Sequence, residues 1–546
     1  MSEASTAAQT HLTRLARGGA LGLVGSAVAV AAGFSVSVLV ARGFDARVVG
    51  VFFAPTSLFA LSAAGCLLGV DSGLARFLLR LEAERRERDV RRTVRLALVS
   101  ATAAASVVAL VGFASADALA RWLGLGGDGA LPMRILSVAL PGAVAAEVLL
   151  SSARAFGRIG TTVMIDRVLR SGLQVVVVGT IVLAGGRLAL VVAGWAAAYA
   201  VSAAFAALAL SRLLAARRHG DGDGGRAPHL ARGFWAFTAP RGVAGLAQVA
   251  IQKADIVIVA ALLSPVDAAV YAVATRFVAV GQMANQAIHQ ALQPSLTAIL
   301  ILHDRATLRH VHGVATTWGI LLVWPVYLVV GCAPVVYLSL FGSGYGSGTS
   351  LVGGGTTVVV VMAVAMMVAV ATGPVDTLLL MAGRSGLSMT NSLLALGVDI
   401  GLCLLLVPEM GIPGAALAWA GAVTSRSALA FLQVHRHLGV NPGPVVLLRI
   451  ALRPLVCFAL PVSAFTAMGF RQLTGWLLVC LVSGCVYLAV LHASRRELEL
   501  DLLVAALRGA ATTPASTPAS TPATTHTPHP SKESDGTWMP ASSPAP

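Results

Sequence analysis

The sequence predicts an all-α polytopic membrane protein with about fourteen transmembrane helices. They form two parallel-repeat six-helix lobes around a central cavity, plus two C-terminal helices. Three observations lead there. First, 57% of the 546 residues are apolar and only 12% are charged, whereas soluble domains carry about 25% charged residues. Second, fourteen runs between charged or Gly/Pro-rich breaks are apolar enough to span, each near the roughly 20 residues a bilayer needs. Third, positive charge alternates from loop to loop, as orientation in a membrane requires. Together these exclude a soluble enzyme, a nucleic-acid binder and a mainly disordered chain.

A cytoplasmic N-terminus, 1–17, carries Arg14 and Arg17. No cleavage site follows, so no removable signal peptide is expected. The N-lobe, 18–211, holds runs at 18–41, 51–75, 96–116, 133–153, 168–184 and 188–211. A cytoplasmic linker, 212–233, contains the flexible stretch 219–225. The C-lobe, 234–432, holds runs at 234–262, 270–300, 313–333, 356–380, 389–407 and 412–432. Two final runs, 454–470 and 475–493, lie within 433–493. The cytoplasmic tail, 494–546, ends in Thr/Pro/Ala/Ser repeats that cannot bury a core and are expected to be disordered.

With the N-terminus inside, 28 of the 39 Lys and Arg residues fall in inner segments and six in outer ones (Arg42, Arg47, Arg121, Arg134, Arg187 and Arg471). Four lie inside spans, namely Arg241, Lys253, Arg276 and Arg426, and Lys532 sits in the tail. The net charge of +15 is therefore mostly an orientation signal, with no nucleic-acid partner implied. Two internal matches support a duplication. Phe44, Asp45, Gly50 and Phe52 match Leu263, Ser264, Ala269 and Tyr271 at an offset of 219, and Leu183–Trp195 matches Val407–Trp419 at 224. Parallel lobes with a substrate site between them are a common transporter plan.

Little argues for catalysis. The six cysteines lie in or beside apolar runs without CxxC spacing, so they read as small packing residues, and no metal site or cofactor is expected. Gly342 to Gly348 lacks the Lys-Ser/Thr of a phosphate loop and reads as a flexible turn.

The chemistry lies in polar residues at membrane depth. Thr238, Arg241, Gly245, Gln248, Gln252 and Asp255 follow a 3, 4, 3, 4, 3 spacing on one face of the seventh span. Thr275, Ala279, Gln282, Gln286, His289 and Gln293 do the same on the eighth. A charge at mid-bilayer costs about 2.5–3.5 kcal/mol even on a lenient scale, so these faces meet a wet cavity or one another. A turn near 265–266 puts Asp255 and Arg276 at one depth, and an ion pair between them is expected, serving either to fasten the two helices or as a latch. Lys253 lies on a different face from Asp255. No acidic residue stands level with Arg241, which suits a phosphate, though a fastening role is open too. Asp71, with Arg76 beside it, and Glu147, Asp376, Asp399 and Arg426 are either coupling sites for H+ or Na+ or satisfied interhelical contacts.

These residues carry a resemblance. Fourteen spans, aromatic-ended loops near Gly50 and Tyr271, Leu68-Gly69-Val70-Asp71 with Arg76, and Asp255 closing the seventh span resemble a known family. So do Pro294, Leu340-Phe341-Gly342 with Tyr345, and Val407-Pro408 through Gly411, Gly414 and Ala415. The family is the lipid-linked oligosaccharide flippases (Wzx-like) of the multidrug/oligosaccharidyl-lipid/polysaccharide (MOP) transporter superfamily. The resemblance implies export of undecaprenyl-pyrophosphate-linked sugar units across the bacterial cytoplasmic membrane for polysaccharide assembly, beside other assembly proteins. It also implies a cationic cavity lined by the first, second, seventh and eighth helices, and an apolar groove for the prenyl tail at the last two. The expected cavity residues are Arg76, Arg241, Gln248, Gln252, Arg276, Gln282, Gln286 and His289. The alternatives are a cation-coupled drug or metabolite exporter, a peptidoglycan lipid II flippase, and a membrane-embedded sugar polymerase or ligase.

Overall fold

The computed structural model describes residues 2–84, 86–215, 227–302, 304–346, 350–439, 444–495 and 498. The stretch 219–225 and the tail from 510, expected to be flexible and disordered, lie outside the described residues. Among those described there is no strand, and twelve helices are long and apolar enough to cross a membrane. The chain is a multi-pass membrane protein.

The first half comprises α1 (Ser2–Gly43), α2 (Ala46–Leu67), α3 (Val70–Ala83), α4 (Glu87–Ala114), α5 (Ala130–Ala155), α6 (Ser171–Leu183) and α7 (Leu188–Ala215). The second half comprises α8 (Ala227–Leu262), α9 (Pro265–Ala274), α10 (Arg276–Ile301), α11 (Arg305–Gly331), α12 (Ser350–Ala371), α13 (Val375–Met381), α14 (Ser385–Met410) and α15 (Ile412–Leu438). Three more close the chain: α16 (Pro444–Pro454), α17 (Leu460–Ala467) and α18 (Leu473–Ala493). Two of the fourteen expected runs fall outside the twelve qualifying helices. The fifth is interrupted by a wide π-type turn at Val163–Arg170 before α6, and the eighth, α10, carries the glutamine stripe.

Breaks in the helices follow local chemistry. The run expected to be continuous at 51–75 stops at Leu68 and Gly69, both left-handed with φ of 48° and 72°, and resumes as α3. Gly69 adopts this backbone without strain, whereas Leu68 is the one non-glycine residue with positive φ among those described. The run at 356–380 breaks at Gly373, φ 75°, and Pro374, which starts α13. At the α8–α9 turn the Ser264 hydroxyl accepts from the Asp267 N–H (3.2 Å), donates to its carboxylate (2.5 Å), and is followed by Pro265 in the first turn.

Packing uses small residues. Ala97, Ala101, Ala105 and Ala109 recur every fourth position on α4 and are buried, with α5 among the helices packed against α4. Small residues at this spacing let two backbones approach closely in a bilayer. The opposite face of α4 leaves Val107, Leu110 and Val111 exposed, as lipid contact demands. The two halves meet mainly where α2 and α3 cross α8 and α9. At one end a Cβ on Gly50 would overlap the Pro265 carbonyl, and at the other a Cβ on Gly242 would overlap the Leu68 backbone. Arg42 Nε also donates to the Leu340 carbonyl (2.7 Å), beside an edge contact of Phe34 with Phe341.

Candidate functional site

The polar stripe of α8 divides: Thr238 packs against Gly69 and Gly73 of the first half, while Gln248, Gln252 and Asp255 turn toward the second bundle. Asp255 is 3% exposed and accepts a hydrogen bond from the Tyr271 hydroxyl of α9 at 2.7 Å, and the Cys403 thiol of α14 lies 3.9 Å from its other oxygen. Asp399, one turn before Cys403, completes the group: one ligand-capable atom from each of Asp255, Asp399 and Cys403 lies within 4.8 Å of the others. Both Asp399 carboxylate oxygens are buried without a donor among the described residues. Two acceptor groups this close, in apolar surroundings and with one firm donor, require a shared proton or a bound cation. Cys403, expected to be a packing residue, belongs to this cluster.

The expected ion pair between Asp255 and Arg276 does not form. The helix breaks at Thr275, whose hydroxyl turns back to the Ala272 carbonyl (3.2 Å), and Arg276 begins the new helix facing the other half of the molecule. Its guanidinium lies 4.7 Å over the Phe53 ring of α2, and its Nε is buried without a hydrogen-bond partner. Equal depth was legible from the hairpin; direction was changed by the break. Arg276 shares a cavity of about 90 Å³ with Lys253, Gln252, Thr275 and Gln282, and Asp255 and Tyr271 also line it. Neither Arg276 nor Lys253 makes an ion pair among the described residues.

A second cavity, about 250 Å³, continues from the first toward the N-terminal end of α8, with Gln252, Gln282 and Trp419 in both walls. The expected residues Gln248, Gln286 and His289 meet here with Asp376 and Arg426. Arg426 donates to Asp376 at 2.7 Å and to Gln248 Oε1 at 3.1 Å, tying α15 to α13 and α8. The Trp419 indole N–H donates to the Ile251 carbonyl at 3.1 Å, which fixes that wall.

The remaining expected residues lie elsewhere. Arg76 and Arg241 line neither cavity. Their guanidiniums stand 4.3 and 4.6 Å from the same ring, Phe237, both exposed at the crossing of α3 with α8. Asp71 is exposed at the start of α3. Glu147 is taken by Arg154 at 2.6 Å, in a network that is otherwise satisfied by Ser151. Tyr271, Asn285, Cys403 and Trp419 carried little or no site signal. Lys253 is a poor partner for Asp255 because it lies on a different helix face, and the same offset brings it beside Arg276.

No protein-family model matches the chain, and no curated protein matches it in sequence. Solved structures share its fold. The lipid II flippase MurJ in an inward closed conformation aligns with TM-score 0.68 at 12% identity, over 87% of this chain and 98% of that one. An inward-facing multidrug-resistance MATE family transporter of the MOP superfamily aligns with TM-score 0.58 at 17% identity, over 75% and 94%. A MOP superfamily transporter from Pyrococcus furiosus, for which reverse polarity of the binding pocket suggests a different function, aligns with TM-score 0.54 at 16% identity, over 78% and 95%. At these identities the likeness establishes the fold, that of MOP superfamily transporters, and no substrate.

Proposed function

We propose that the chain is a cation-coupled flippase moving a polyprenyl-pyrophosphate-linked glycan across the bacterial cytoplasmic membrane, for cell-surface polysaccharide synthesis. The observation that carries the reading is the pair Arg276 and Lys253, two cations at membrane depth that make no ion pair among the described residues, in a cavity whose other polar walls are Gln252, Thr275, Gln282 and the hydrogen-bonded Asp255 and Tyr271. Each such charge costs about 2.5–3.5 kcal/mol at mid-bilayer, and a diphosphate offsets that cost by direct charge-assisted hydrogen bonds. Arg276 is suited to bind it bidentately and Lys253 as a point charge. The flippase neighbour in fold supports a lipid substrate.

The halves rock about the α2/α3 and α8/α9 crossings. Arg76 and Arg241 draw the headgroup to the inner mouth, and the pyrophosphate passes to Arg276 and Lys253. The Asp255–Asp399 cluster takes the coupling H+ or Na+. Tyr271, which donates to Asp255, and Arg276 lie on either side of the Thr275 break, so a cation that draws Asp255 from Tyr271 moves the substrate-binding arginine. The same carboxylate cluster supports a second reading, a cation-coupled exporter of drugs or metabolites.

Complementation of a strain lacking its polysaccharide flippase separates the two. Wild type restores surface polysaccharide, while Arg276→Ala and Arg241→Ala, inserted at normal levels, do not. Normal polysaccharide with both variants removes these residues from the mechanism, and resistance to cationic dyes without complementation favours the exporter.

A further inference from the structure

We infer that the larger cavity of the C-terminal bundle, between α8, α10, α13 and α15, is a subsite for the first sugar attached to the pyrophosphate, a neutral hexose-type ring. This rests on the reading of Arg276 and Lys253 as the pyrophosphate site.

The chemistry of the wall selects such a ligand. Asp376 and Arg426 hold each other at 2.7 Å, so neither charge is free to capture an ion. Each still has one buried atom without a partner, Asp376 Oδ1 as acceptor and Arg426 Nε as donor. Gln248, Gln282, Asn285 and Gln286 add amides, each offering both a donor and an acceptor. An anion meets an arginine already neutralised, a cation meets a carboxylate already taken, and an apolar molecule leaves the amides unsatisfied. A polyhydroxylated ring satisfies donors and acceptors together and places a carbon face on Trp419 and Met366. The cavity of about 250 Å³ has room for one ring.

Position gives the second argument. The two cavities share Gln252, Gln282 and Trp419. A group held by Arg276 and Lys253 is therefore directly adjacent to the larger cavity. In a pyrophosphate-linked glycan the first sugar is bonded to the phosphate, so the one ligand fills both.

Binding to the full-length protein in nanodiscs tests this. The probes are undecaprenyl pyrophosphate without sugar and the same lipid carrying glucose, galactose, rhamnose or N-acetylglucosamine. At least one glycosylated form is expected to bind about tenfold tighter than the bare lipid. Asn285→Ala and Gln286→Ala are each expected to erase that preference, with the bare lipid's Kd unmoved as the sign of an intact fold. The subsite is overturned if no sugar improves binding, if the preference survives both variants, or if both variants weaken bare and glycosylated lipids alike. If wild type binds none of the pyrophosphate lipids, the pyrophosphate reading itself fails, and the subsite with it.

Discussion

Asp255 and Asp399 bring two carboxylates together where, among the described residues, only Tyr271 and the Cys403 thiol donate. The proposed cation is what such a cluster lacks. Sodium at about a hundredfold its Kd should then stabilise the wild type by roughly 2.7 kcal/mol, read as a rise in Tm in detergent. Asp399→Asn should melt higher than wild type without sodium and lose the sodium-dependent rise, because an amide replaces a repelling charge with a donor. A sodium response that persists in Asp399→Asn places the cation elsewhere. At this scale the sequence was partly legible. Spacing put Asp255, Gln248 and Gln252 on one face and gave Arg276 its depth, because helical periodicity governs both. It could not give Asp255 its partner: Asp399 and Cys403 come from α14, a contact that no periodicity within α8 or α10 encodes.

Among the helices, glycine decides where the halves touch. Gly50 meets Pro265, and Gly242 meets Leu68, with no room for a methyl group at either contact. The first contact joins the two loops that match each other in sequence. Gly242→Val should hold α3 away from α8 and lower transport by about tenfold or more, as misplacement of a packed element does. A cysteine at Thr238 should then react faster with a water-soluble maleimide. Gly50→Ala should do the same at the opposite contact, raising reactivity near Pro265. Unchanged reactivity in either variant means that these contacts are not gates. The breaks were less legible than the runs. Leu68-Gly69 sits in a stretch as apolar as its surroundings, so hydropathy reads 51–75 as one helix. Gly373-Pro374 carried the usual turn signal, but the apolar run through Leu380 masked it.

Over the whole molecule, composition and charge pattern were enough for the architecture class. An apolar content of 57% and the alternation of 28 inner against six outer basic residues point to a many-span protein before any residue is placed. The site was harder to read, because the C-terminal bundle gathers it from α8, α9, α10, α13, α14 and α15. The same alternation predicts a cytoplasmic N-terminus. A single cysteine at Asp128, between α4 and α5, should be labelled by an impermeant maleimide in intact cells, and one at Arg88 only after lysis; the reverse pattern inverts the topology.

The most direct test is translocation by the purified full-length protein in proteoliposomes containing undecaprenyl-pyrophosphate-linked sugar, followed by the accessibility of the sugar to a periodate or lectin probe outside. Wild type should move the glycolipid across faster than protein-free vesicles, with a dependence on a sodium or proton gradient. Arg276→Ala combined with Lys253→Ala should return the rate to the protein-free level. A wild type that leaves the glycolipid where it was loaded, or a double variant that moves it at the wild-type rate, contradicts the account.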